Sequence, residues 1–247
     1  MDFVSGAVCE QCSDRIHVNQ DKFGSAVIKD KQGHPILIAL VCDGVSRSYR
    51  SEIASYNTVL YVLQWAASYF PHHIFDMDKV TPRVDNILRR CNRRIDVFSY
   101  QYGQGSYSCC TVSGMITDGK DMLVFNAGDS RLYEMDMQED KLYVLTKDNK
   151  AEDGYSISMC IGAFESDQLR ISYTKEAFNR NSVYFLCTDG IYRRADLKKW
   201  GNALFTAAHR SAMEEYLRQM VQEVRTAGET DDATALVIVK KAGDSIG

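Results

Sequence analysis

Pro35-Ile36-Leu37-Ile38-Ala39-Leu40-Val41-Cys42-Asp43-Gly44 is an apolar run that stops abruptly on an aspartate and a glycine. Val183-Tyr184-Phe185-Leu186-Cys187-Thr188-Asp189-Gly190 follows the same plan far downstream. Short runs rich in β-branched and aromatic residues, bounded by turn residues, read as strands. Each of these two delivers a carboxylate at its end. A third site, Thr230-Asp231-Asp232-Ala233-Thr234, leads into Leu236-Val237-Ile238-Val239, and a fourth, Asn19-Gln20-Asp21, precedes a strand at Phe23. One Asp-Gly is usually only a turn. Four such sites in one chain, two behind nearly identical apolar-Cys strands, point to a shared centre.

Around these strands the chain organises itself as strands, then helices, then strands again. Phe23 to Lys29 and Pro35 to Cys42 are joined by the turn Lys31-Gln32-Gly33-His34. Ser51-Glu52 opens a helix that places Ile53, Tyr56, Val59, Leu60, Leu63 and Ala67 on one face, and a second helix is expected from about Val84 to Tyr100. The arginines of that helix, Arg89, Arg90, Arg93 and Arg94, read most simply as a solvated face, with a phosphate-binding patch as the alternative. Further strands are expected at Ser108 to Thr117, Met122 to Asn126, Arg131 to Met135, Lys141 to Leu145, Leu169 to Tyr173 and Val183 to Cys187. A helix over about Ala212 to Thr226 and a strand over Ala235 to Val239 close the chain. This order predicts an α+β fold and disfavours regular βαβ crossovers of the Rossmann kind.

Hard divalent cations take oxygen ligands, and carboxylates from separate strands can converge on them while leaving positions for water. A glycine after the aspartate lets a backbone carbonyl approach closely. Asp43 is followed by Gly44-Val45, not by the Asp-x-Asp of an aspartyl-phosphate route. A metal-dependent hydrolase of phosphoesters is the chemistry these features suit.

The same stretches carry a resemblance. In order, they are Asn19-Gln20-Asp21; Asp43-Gly44-Val45 with Ser51-Glu52-Ile53-Ala54-Ser55; Asn126-Ala127-Gly128-Asp129-Ser130-Arg131-Leu132-Tyr133; Leu145-Thr146-Lys147-Asp148; Leu186-Cys187-Thr188-Asp189-Gly190-Ile191; and Asp231-Asp232-Ala233-Thr234. Together they resemble the PP2C (PPM) metal-dependent serine/threonine protein phosphatases, and in particular a compact, divergent bacterial branch. The resemblance spans nearly the whole chain. It implies a four-layer α/β/β/α sandwich, with two mainly antiparallel central sheets and outer helices, and a centre holding two Mn2+ or Mg2+ ions, with a weaker third in some members. Carried over, Asp43 bridges two ions, the Gly44 carbonyl binds one of them, and Asp189 and Asp231 hold the other. Asp21 acts one water further out, and Asp129 matches the third-ion position, with a structural turn as its alternative. The implied activity is hydrolysis of phosphoserine and phosphothreonine, and the implied partners are a phosphoprotein and a cognate kinase.

Some positions depart from the family pattern. Ile16 stands where the family has its phosphate-gripping arginine, and its neighbours Arg15 and His17 are candidate phosphate-binding residues. His17 is a candidate phosphate ligand or general acid, since imidazole exchanges protons near neutrality. Arg47 or Arg50, in a loop that replaces the usual Met-Gly-Gly-His continuation, are candidate phosphate clamps, or simply solvated charges. Asn149 follows Asp148 where a histidine is usual. Ala151 to Arg170 leaves room for only a reduced flap, which predicts an open catalytic face. Two other readings stay in view: a non-catalytic binding or regulatory module of the same fold, and a phosphatase for a small phosphoester.

Composition bounds these readings. The chain has 247 residues, 45% hydrophobic and 25% charged, with 3 prolines and no Gly/Ser-rich linker, so one domain over 1–247 is expected. A net charge of -4 disfavours nucleic acid and anionic membranes as partners. Cys9 and Cys12 form a lone CxxC without further zinc-spaced ligands. Free cysteines in core strands, with no signal-like N-terminus and no span long enough for a bilayer, predict a cytoplasmic protein. A monomer is expected.

Overall fold

The computed structural model describes residues 2–11, 18–153, 156–165, 167–207 and 209–241. Two five-stranded sheets, antiparallel throughout, form its centre. The first contains β1 (Asp2–Glu10), β6 (Arg131–Asp136), β7 (Lys141–Val144), β9 (Ser182–Cys187) and β10 (Ala233–Lys241), in the order β1-β10-β9-β6-β7. The second runs β2-β3-β4-β5-β8, with β2 at Lys22–Lys29, β3 at Pro35–Cys42, β4 at Val112–Thr117, β5 at Asp121–Ala127 and β8 at Ser172–Ala177. Helices α1 (Ser51–Tyr69) and α2 (Met77–Tyr102) cover the second sheet. The short turn of helix α3 (Asp189–Tyr192) follows β9, and α4 (Leu197–Thr206) and α5 (Arg210–Thr226) cover the first sheet.

The apolar strands fit this four-layer plan because they are buried on both faces. Along β3, Ile36, Ile38, Leu40 and Cys42 pack toward α1 and α2, while Leu37, Ala39 and Val41 face the other sheet. The period of two in a strand forces that division. In β9, Val183, Phe185 and Cys187 meet α4 and α5, while Tyr184 and Leu186 join the inter-sheet layer with Leu132, Leu236 and Ile238. Each fully buried side chain of this kind contributes roughly 1.5–3 kcal/mol. With both faces covered, a run without polar interruptions is what the layering requires.

The predicted α+β order is present, with several differences. Strand β1, not foreseen, pairs with β10 over nine residues and makes the edge of its sheet. Helix α4 was also not foreseen. Helix α2 begins at Met77, where the Asp76 carboxylate accepts from the Asp78 and Lys79 amides, and it continues through Pro82. The strand expected at Leu169 to Tyr173 lies at Ser172–Ala177. Leu169 instead turns back, its amide donating to the Glu165 carbonyl at 3.1 Å, and buries its side chain against α2. Between β7 and β8 the described residues form no helix, only turns tied down by the Lys150–Ile157 and Cys110–Ile161 bridges. No helix among the described residues is long and apolar enough to cross a membrane.

Candidate active site

Asp43 and Asp189 leave β3 and β9, strands of opposite sheets that contact each other. Asp43 is fixed through its backbone. Its N–H donates to Thr111 Oγ1 at 3.0 Å, and its carbonyl accepts from the Thr111 N–H at 2.8 Å. The Thr111 hydroxyl in turn hydrogen-bonds Ser130 Oγ at 2.7 Å, which ties Asp43 to the turn that carries Asp129. The Gly44 position has no room for a side chain, because a Cβ there would stand 2.8 Å from both the Gln20 carbonyl and Ser51 Oγ.

The first and last acidic segments are laced together over the end of the sandwich. The Gln20 amide donates to Asp232 Oδ2 at 2.8 Å. The Thr188 hydroxyl donates to Asp21 Oδ2 at 2.8 Å and accepts from the Thr234 amide at 3.1 Å. Gly190 sits so close to the same segment that a Cβ would meet the Asp232 carbonyl oxygen at 1.9 Å. The Asp231 amide is held by Glu229 Oε1 at 3.1 Å, and Arg225 grips the Asp231 carbonyl. Backbone and side-chain contacts together position these carboxylates.

The carboxylates perturb one another electrostatically. Burial pushes Asp43 well above the usual carboxylate range, and the charges of Asp21, Asp189, Asp231 and Asp129 push it further. Asp43 as a whole residue is half-buried. Burial raises Asp189 from 3.8 to about 7, opposed by Arg193 and reinforced by Asp231, Asp129 and Asp21. Asp21 rises to about 6 for the same reason, against hydrogen bonds from Thr188, Thr234 and Asp43. Asp129 is also raised, by burial and then by Asp148. Like charges held at such range in a poorly solvated place favour protons or cations.

The predicted residues Asp21, Asp43, Gly44, Asp129, Asp189 and Asp231 thus gather at one end of the molecule. Arg47 is exposed in the loop after Gly44, and Arg50 pairs with Glu52 at 2.9 Å. Arg15, His17 and Cys12 lie outside the described residues. Sequence reading passed over three contributors: Thr188, Asp232 and Arg193. The Arg193 guanidinium pairs with Asp189 and stands 3.5 Å from Asp231 Oδ2. The Asp-x3-Arg spacing from Asp189 was the signal that could have found it, since residues four apart meet across a helical turn. Arg131 has a structural part: it forks onto Asp148 at 2.9 and 2.7 Å and lies over the Tyr192 ring at 4.0 Å, steadying α3.

Oxygen donors of this kind suit a hard divalent cation. Asp189 Oδ1 is buried without any hydrogen-bond partner, which is the mark of a donor awaiting an ion or water. Among the described residues no three acidic, His or Cys side chains stand as a ready-made set for an ion. The carboxylates are near one another, but Arg193 reaches in between Asp189 and Asp231.

The comparisons agree with this geometry. The family signature of protein phosphatase 2C matches residues 11–237. No curated protein sequence matches the chain. The fold is similar to the Staphylococcus aureus serine/threonine phosphatase Stp1, with a TM-score of 0.80 at 14% identity, covering 98% of this chain and 96% of that one. It is similar to the Mycobacterium tuberculosis serine/threonine phosphatase PstP/Ppp, with a TM-score of 0.76 at 14% identity over 97% and 99% of the two chains. It is also similar to PppA, described as a key regulatory component of T6SS in Pseudomonas aeruginosa, with a TM-score of 0.74 at 19% identity over 96% and 97%. At these identities the structures speak for the fold, and the signature over nearly the whole chain speaks for the family. With the six motifs in order on that fold, the chain belongs to the protein phosphatase 2C family and is a PP2C-type protein phosphatase.

Proposed function

We propose that the chain removes phosphate from phosphoserine and phosphothreonine in proteins, using water at a centre of two Mn2+ or Mg2+ ions. The observation that carries this reading is the buried, partnerless Asp189 Oδ1 amid carboxylates whose mutual charges raise each other. Asp43 would bridge the ions, the Gly44 carbonyl would serve one, and Asp189 and Asp231 the other. Asp21 would act one water further out, and Asp129 would serve a weaker third. When bound, such ions supply a water acidic enough to attack at neutral pH and screen charge building on the phosphoryl oxygens.

The protein's own part is orientation. Thr111 fixes the Asp43 backbone, and Thr188 orders Asp21, so the carboxylates meet the reactants without reorganising. Water adds to phosphorus as the bond to the serine or threonine oxygen breaks, giving the free alcohol and inorganic phosphate. His17 is the candidate to protonate the leaving oxygen, on sequence grounds alone. The whole chain is read as one catalytic unit acting as a monomer in the cytoplasm, and the regulatory part described for PppA supports a signalling role opposite a kinase.

A panel of phosphoserine and phosphothreonine peptides, assayed with Mn2+ beside an aryl phosphate, tests the substrate class. At least one peptide is expected to exceed the aryl phosphate in kcat/KM. If every peptide turns over more slowly, a small phosphoester is the substrate instead.

A further inference from the structure

Arg193 is a cation set among the acidic side chains of the candidate site. It caps the single turn of α3, its amide donating to the Asp189 carbonyl at 3.1 Å, so its side chain projects on the same side as Asp189. There the guanidinium pairs with Asp189 and approaches Asp231 at 3.5 Å. These are the two carboxylates read above as sharing one ion. The carboxylate side chains are 11% and 24% exposed, whereas Arg193 is 50% exposed, so the arginine can withdraw to water more easily than either partner. A guanidinium's forked donors suit two acceptors at once.

We propose that Arg193 is a tethered counter-cation that holds Asp189 and Asp231 in the metal-free chain and competes with the divalent ion for them. It makes metal loading a displacement, so the enzyme switches on at a higher metal concentration than the bare carboxylates would demand. Two cations that use the same oxygens exclude each other, and linkage makes the effect reciprocal. The role is one of positioning and competition, not of contact with substrate. The proposal rests on the metal-centre reading of Asp189 and Asp231.

Calorimetric titration of Mn2+ into the metal-stripped full-length protein tests it, with thermal melts of the same samples. Arg193→Gln is expected to tighten the apparent Kd at least about five-fold, the lower end of ordinary coupling between sites. Its metal-free melting temperature should fall, and its gain on Mn2+ saturation should exceed the parent's. Arg193→Lys, which keeps the charge but not the fork, should lie between the two. Folded variants that bind Mn2+ no more tightly than the parent, while Asp189→Asn loses binding, overturn the tethered cation and leave the metal centre standing. Should Arg193→Gln fail to fold, equal affinity in Arg193→Lys overturns it in the same way. Absence of Mn2+ uptake by parent and variants alike removes the metal reading and this proposal with it.

Discussion

At Asp189, burial and neighbouring carboxylates favour the protonated acid while Arg193 favours the anion, and burial wins. Asp21 and Asp43 are shifted the same way. Acids whose pKa rises on folding hold extra protons in the folded state, so they support stability below about 4 and withdraw it as pH climbs through their folded values. For Asp21 and Asp189 that window runs from 3.8 to about 6 and about 7. The metal-stripped protein should therefore lose melting temperature as pH rises from about 4 to about 7. Mn2+ affinity should increase over the same range, because the ligands must shed protons. Thermal melts and calorimetry across that range check both. Gly190 makes a second prediction at this scale. Alanine there would collide with the Asp232 carbonyl, so Gly190→Ala should destabilise by about 2 kcal/mol or more in denaturant titration and displace the Asp231 segment.

Among the elements, what was legible followed from burial. Strands β3, β9 and β10 are covered on both faces, so they appear as apolar runs, and their acidic ends could be read directly. Strand β1 could not, because Ser5 and Gly6 interrupt the apolar residues of Asp-Phe-Val-Ser-Gly-Ala-Val-Cys-Glu from Asp2 to Glu10, leaving no continuous run. Its place comes from pairing with β10, which lies more than two hundred residues away in sequence. Helix α4 was hidden by its brevity and by Gly201, where a Cβ would stand 3.0 Å from the Met135 side chain. The site divided along the same line: acids at strand ends were readable, whereas Arg193 and Thr188 gain meaning only from partners brought close by folding. Because β1 seats α5 and completes β10, deleting residues 2–10 should cost at least about 3 kcal/mol, given the apolar area it covers. Chemical denaturation of the truncated chain checks this, and unchanged stability would show that β10 needs no edge partner.

On the scale of the molecule, the sandwich brings the ends of opposite sheets to one place, which no single sheet could do. Asp43 arrives from one sheet, Asp189 and Asp231 from the other, and the Gln20–Asp232 and Thr188–Asp21 hydrogen bonds seal the join. Thr111 anchors the Asp43 backbone, and among the described residues the β7–β8 segment adds no helix over the sandwich. The most direct measurement is hydrolysis of an aryl phosphate by the parent chain and by Asp189→Asn, with Mn2+ and after metal stripping. The parent should turn over only with Mn2+, and the variant should be slower by at least about a hundredfold, in keeping with the loss of an activated water. Turnover that persists without metal, or an Asp189→Asn chain as fast as the parent, would contradict the metal centre.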